Sequence, residues 1–264
     1  PGLAWARVHE PAGVRNPPSL VFSNGVCVEP DELTWTGVAR VAPGGIAGLS
    51  RLGIRVVELE LPWHGRRRKA GTYGGEPFLA GPPVAALDLF TTHAQDIAVV
   101  TAWCRRMGSA RVAIAGASLG GLASLLVASH AARWPAEMRP DGLVVLTAAE
   151  DVVALATTSA LPDVLGVPAA LRAAGWSPDA LARWRPFVAL ADQPPLPPES
   201  IVAVLGRRDT VLPFALGAAL MSRWRVPADN LFVGEAGHFA TQLGAVLDGR
   251  AIQRLLAILG LGAR

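Results

Sequence analysis

A serine stands between two glycines in Gly116-Ala117-Ser118-Leu119-Gly120, the pattern G-x-S-x-G. Its hydroxyl is a poor nucleophile until a base removes the proton, and that base needs an acid to orient it. The chain offers five histidines: His9, His64, His93, His130 and His238. His93 and His130 fall in helical stretches, where a plain surface or core role is expected. His238, in Gly234-Glu235-Ala236-Gly237-His238-Phe239, lies between the last strand-like run and the final helical one. It is the candidate base. Asp209, in Gly206-Arg207-Arg208-Asp209-Thr210-Val211-Leu212-Pro213, is the candidate acid. Its other reading is an N-cap for a helix starting near Pro213. Glu150 and Asp151, which follow the preceding strand, are rival acids. Together these residue types would perform nucleophilic attack on a carbonyl.

G-x-S-x-G alone is weak, because this composition produces roughly 0.1 chance matches per chain. Its surroundings strengthen it. Val112 to Ala115 leads in as a β-branched run, and Leu122 to Ser129 leads out as an Ala- and Leu-rich helix. A serine on so sharp a strand-to-helix turn is strained and presents its Oγ above the sheet. The helix N-terminus beneath it favours developing negative charge.

The rest of the chain supplies elements to position these groups. Apolar runs at Leu20–Ser23, Ile54–Leu61, Arg111–Ala115, Gly142–Thr147, Ile201–Leu205 and Asn230–Val233 read as buried parallel strands. Helical stretches at Thr91–Met107, Leu119–Arg133, Pro213–Trp224 and Thr241–Leu259 alternate with them. The expectation is an α/β fold with a mostly parallel sheet flanked by helices. Loops at the carboxyl ends of parallel strands share one side of the sheet, and Ser118, Asp209 and His238 all fall on such loops. The Pro-rich section 148–198, with Trp176 and Trp184, has no strand-like run. It reads as a cap or lid inserted into a core of 1–147 and 199–264, or as helices padding one side of the sheet.

Composition excludes several classes. With 264 residues, 51% hydrophobic and 17% charged, the chain buries a full core and is not disordered. The net charge of +3 is scattered, and the only basic run, Arg66-Arg67-Arg68-Lys69, is too short for a nucleic-acid groove. That run reads as a solvated loop, with steering of an anionic substrate as the lesser option. Cys27 and Cys104 form no disulfide framework and cannot alone make a four-ligand zinc site. Val112 to Ser129 carries no charge over 18 residues, yet its glycines and change of character read as strand, turn and helix rather than a membrane span. The cysteine usage and the absence of a visible leader lean towards a cytoplasmic protein.

The elbow, the Gly-x-x-Asp-x-x-x-Pro segment and the Gly-His segment, in this order and spacing over about residues 20 to 260, resemble a serine hydrolase of the α/β-hydrolase superfamily. The resemblance implies Ser118 as nucleophile, His238 as base and Asp209 as acid. It also implies an oxyanion hole from the backbone N–H of Leu119 and one from the loop after the first strand. Many relatives read His-Gly there; this chain has Asn24-Gly25-Val26, which places the donor at Val26. Leu61-Pro62-Trp63-His64-Gly65 resembles the family's Pro-x-x-Gly turn, where His64 and Trp63 either line the pocket mouth or hold the loop. The implied activity is hydrolysis of a carboxylic ester through an acyl-enzyme, with no metal or organic cofactor. Thioesterase, peptidase, lipase and acyltransferase chemistry use the same constellation, and a non-catalytic binding protein is the reading from another class. The Trp-, Leu- and Pro-rich section, Trp176 included, favours a small ester with an apolar acyl or aromatic group.

Overall fold

The structure, a computed structural model, describes residues 2–28 and 45–262. No candidate site residue lies outside them. Seven strands form one sheet in the order β1-β3-β2-β4-β5-β6-β7. They are β1 (Ala6–His9), β2 (Ser19–Ser23), β3 (Arg55–Leu59), β4 (Val112–Ala117), β5 (Gly142–Leu146), β6 (Ile201–Gly206) and β7 (Leu231–Gly234). Every pairing is parallel except β1 with β3.

Period-two alternation divides the core between the two faces of the sheet. Val21, Val57, Ile114 and Val145 point into one apolar cluster; Leu20, Val56, Ala113 and Val144 point into the other. Burial on both faces explains the continuous apolar runs of the central strands. One face is covered by α3 (Val84–Arg106), α4 (Leu119–His130) and α10 (Phe214–Arg223). The other is covered by α1 (Ile46–Arg51), α11 (His238–Asp248) and α12 (Arg250–Ile258). A short α2 (Glu76–Ala80) precedes α3, and α5 (Val152–Thr158), α6 (Ala160–Val164), α7 (Val167–Ala173), α8 (Pro178–Ala182) and α9 (Arg185–Val188) occupy the section after β5.

Three elements differ from the sequence expectation. β1 was not anticipated: Ala6-Arg7-Val8-His9 is an edge strand of alternating exposure, without a buried run to mark it. His9 Nε2 lies 2.6 Å from Glu58 Oε2 of β3 and ties that edge down. α3 starts at Val84, seven positions before the expected Thr91, because the Pro82-Pro83 pair sits ahead of its first turn, where a missing N–H costs nothing. The final helix is two: Gly249 at φ 75° ends α11 and lets α12 leave in a new direction, although the apolar pattern runs on through it. The uncharged stretch Val112–Ser129 is β4, a turn and α4. Among the described residues no helix is long and apolar enough to cross a membrane.

Candidate active site

The elbow is a place where side chains have no room. A Cβ on Gly116 would fall 2.2 Å from the backbone C and O of Gly120, and one on Gly120 would fall 2.3 Å from Ser23 O. The missing side chains let β4, α4 and the end of β2 close on one another around Ser118. Ser118 itself takes φ 52°, ψ −118°, a conformation rarely adopted by a residue with a side chain. Its N–H donates to Leu146 O of the neighbouring β5 at 3.0 Å, which holds the turn.

The loops after β6 and β7 are laced together. Arg207 N–H donates to Gly234 O at 2.9 Å and Arg208 N–H to Ala236 O at 3.2 Å. The approach needs Gly206, whose Cβ would meet Ala236 O at 2.4 Å. This lacing brings Asp209 to His238, the first residue of α11. Asp209 Oδ2 accepts from His238 Nδ1 at 2.7 Å, and His238 Nε2 lies 2.9 Å from Ser118 Oγ. A carboxylate can only accept, so the imidazole carries its proton on Nδ1 and turns a lone pair to the serine hydroxyl. All three side chains are buried. Asp209 Oδ1 accepts from Val211 and Leu212 N–H at 2.9 and 2.8 Å, so the carboxylate is held on both oxygens. It does not cap α10, whose N-cap is Pro213. The rival acids are engaged elsewhere: Glu150 pairs with Arg223, while Asp151 caps α5 through Ala154 N–H and meets Arg185.

The oxyanion candidates flank the serine. Leu119 opens α4, where an N–H has no intrahelical acceptor. The Asn24-Gly25-Val26 loop passes so close that a Cβ on Gly25 would sit 3.2 Å from Ser118 Cβ. His64 supports that loop from behind. Its Nδ1–H donates to Pro62 O at 2.9 Å, and its Nε2 accepts from Cys27 N–H at 3.3 Å. A carbonyl accepts and an amide donates, so this imidazole is neutral. Burial also pushes its pKa below the ordinary histidine value. Gly75, at φ 82°, has no side chain to drive into His64 and Val26. His64 thus braces the loop and does not line the cavity at Ser118. Trp63 is buried in the main core, and Trp176 packs edge-on against Trp184 with ring centroids 5.9 Å apart; neither lines that cavity. Of the basic run, Arg67 pairs with Asp96 at 2.7 Å and Arg66 stacks over Trp5. None of its four residues lines the cavity.

The cavity opening on Ser118 has a volume of about 100 Å³ and apolar walls. Val26, Leu119 and Leu122 bound it from the core; Leu155, Leu161 and Pro162 bound it from the helices after β5.

Two residues of this neighbourhood were not anticipated as parts of the site. Gln242 Nε2 lies 3.1 Å from His238 Nε2 and donates to Thr147 Oγ1 at 3.2 Å. Its position one helical turn after His238 is the signal that marks it. His93, expected to have a plain role, is fully buried on α3 and holds Ser23 Oγ at 2.7 Å, directly before the Asn24-Gly25-Val26 loop. Burial, with the charge of Arg67 adding to it, pushes its pKa down to about 3. The unfolded chain therefore takes a proton near pH 6.5 that the folded chain refuses until about pH 3. The contribution of neutral His93 to stability is complete above pH 6.5 and is lost as the pH falls below it, at up to about 1.4 kcal/mol per pH unit. Urea midpoints of the wild type should drop between about pH 6 and pH 4, and less steeply in His93→Gln. Equal slopes for the two proteins would remove His93 from the account.

No protein-family model and no curated protein matches this chain. Solved structures do. TT1662 from Thermus thermophilus superposes with a TM-score of 0.61 at 18% identity, over 98% of this chain and 94% of that one. Est1E from Butyrivibrio proteoclasticus, solved with ferulic acid, gives 0.56 at 15% identity over 96% and 94%. The butyrate-bound esterase Est2 of Thermogutta terrifontis gives 0.59 at 13% over 98% and 91%. With a mostly parallel sheet, helices on both faces and this likeness along nearly its whole length, the chain has the α/β-hydrolase fold.

Proposed function

We propose that the protein is a serine hydrolase that cleaves small carboxylic esters through an acyl-enzyme. The observation that carries this reading is the continuous contact from Ser118 Oγ to His238 Nε2, 2.9 Å, and from His238 Nδ1 to Asp209 Oδ2, 2.7 Å. His238 Nε2 takes the hydroxyl proton as Ser118 Oγ attacks the ester carbonyl carbon. The resulting oxyanion is held by the N–H groups of Leu119 and Val26, each of which can contribute about 3 kcal/mol to the transition state. The C–O bond to the alcohol then breaks, and His238 returns the proton to the leaving oxygen. Water, deprotonated by the same nitrogen, attacks the acyl carbon; the bond to Ser118 Oγ breaks, His238 returns the proton to that oxygen, and the acid is freed. Asp209 keeps the imidazole in the tautomer this requires and stabilises it while it is charged.

In this reading section 148–198 is the cap of the core formed by 1–147 and 199–264, because α5 and α6 supply walls of the cavity on Ser118. Those walls suit an apolar acyl group. A fluorophosphonate probe should label the wild type and leave Ser118→Ala unlabelled, with kcat for a chromogenic acetate ester falling about a million-fold in the variant. Labelling of Ser118→Ala at the wild-type rate would end the assignment.

A further inference from the structure

A second apolar cavity, of about 50 Å³, lies beside the one on Ser118, and Pro82, Ala86, Val152 and Ala156 line both. These four residues form the boundary between the two spaces. Val152 and Ala156 stand one turn apart on α5, and Ala86 faces the same boundary from the first turn of α3. Two of the four side chains end at Cβ, which keeps the boundary thin. Beyond it the walls are Leu87, Val153, Leu171, Leu181, Trp184 and Val188. A charged or strongly polar group there would lose its hydration without recovering it.

We propose that this second chamber receives the distal part of an unbranched acyl chain, so that medium-chain acyl esters are the preferred substrates. The proposal rests on the serine-esterase reading and adds the substrate class to it. The alcohol must leave for solvent before water can enter, whereas the acyl group stays bound to Ser118 through both half-reactions. A chamber adjoining the cavity on Ser118 suits the part that stays. An alkyl chain can adjust its torsions to cross a boundary lined by Pro82, Ala86, Val152 and Ala156, a freedom that a rigid aromatic ring lacks.

The test is a series of p-nitrophenyl esters from acetate to decanoate, with the benzoate alongside. Each methylene that enters the chamber should raise kcat/KM about fourfold, so octanoate should exceed acetate by tenfold or more. Val153→Trp and Leu181→Trp, which fill the chamber, should lower the octanoate-to-acetate ratio by at least tenfold. Trp184→Ala, which enlarges it, should move the optimum to a longer chain, and so covers the case in which the bulky variants do not fold. An optimum at acetate or butyrate, a preference for benzoate, or an unchanged optimum in the folded variants would overturn the chamber while leaving the esterase reading in place. Hydrolysis of no ester, with no fluorophosphonate labelling, would overturn the esterase reading and the chamber with it.

Discussion

Asp209→Asn should lower kcat by roughly four orders of magnitude while moving the thermal midpoint by only a few degrees. The separation of the two effects follows from how the carboxylate is used. Oδ1 accepts from Val211 and Leu212 N–H, and an asparagine carbonyl can continue to do so. Oδ2 faces His238 Nδ1 at 2.7 Å, and in the variant that position becomes an amide nitrogen, which can only donate. The imidazole must then turn an unprotonated Nδ1 to the amide and carry its proton on Nε2, leaving no lone pair for Ser118. Steady-state kinetics on a chromogenic ester, beside a melting curve, read the two quantities separately. A variant retaining a tenth of the wild-type rate would mean that another group orients His238. Glu150 and Asp151 are poor candidates for that role, since each is already paired in a contact of its own.

The second large effect is on stability. Gly116→Ala should cost on the order of 4 kcal/mol, which for a chain of this size lowers the melting midpoint by roughly 10 °C. The new Cβ would stand 2.2 Å from Gly120 backbone atoms and 2.5 Å from Gly121 N. Those atoms belong to the first turn of α4, so the helix cannot yield without leaving the sheet. A flexible side chain could have moved aside; packed backbone cannot. Gly244→Ala on α11 is the matched control, because nothing lies within 4 Å of its Cβ and alanine is the better helix former. It should raise the midpoint slightly. Equal midpoints for Gly116→Ala and the wild type would show that the elbow can relax at no cost, against the close packing described for it.

Both effects concern residues that the sequence marks plainly. The two glycines of the elbow, the serine between them and the loops carrying Asp209 and His238 are legible because strands buried on both faces leave long apolar runs, and the punctuation between the runs is short. Parallel pairing then requires every carboxyl end to open on the same side of the sheet. Chain order alone was enough to place three distant residues on one rim. The same logic fails where burial leaves no run. β1 pairs along an edge with alternating exposure, so Ala6-Arg7-Val8-His9 looks like loop. At Gly249 a change of direction hides inside an apolar pattern that continues on both sides of it.

The support of the site was illegible for a different reason. His64 is neighbour in sequence to Trp63 and Gly65, but its work is done at Cys27 N–H, 37 positions away. Gly75 matters because His64 and Val26 lie against it, and Gly25 because Ser118 does. Trp63, aromatic and next to a candidate pocket residue, turns into the core at φ 64° instead. Trp176 goes to Trp184 and not to the serine. In each case the role depends on which side of a loop meets which neighbour, and hydrophobic periodicity carries no information about that.

The central buried strands, the helices that alternate with them and the shared rim of Ser118, Asp209 and His238 were written in local pattern, because burial and turn geometry act on neighbours along the chain. The distances between those three side chains, the bracing of the Asn24-Gly25-Val26 loop by His64, the apolar cavity on Ser118 and the one adjoining it arose only when segments remote in sequence packed together. Contact across the fold depends on shape and on the space left by missing side chains, and these become defined only when the chain is closed upon itself.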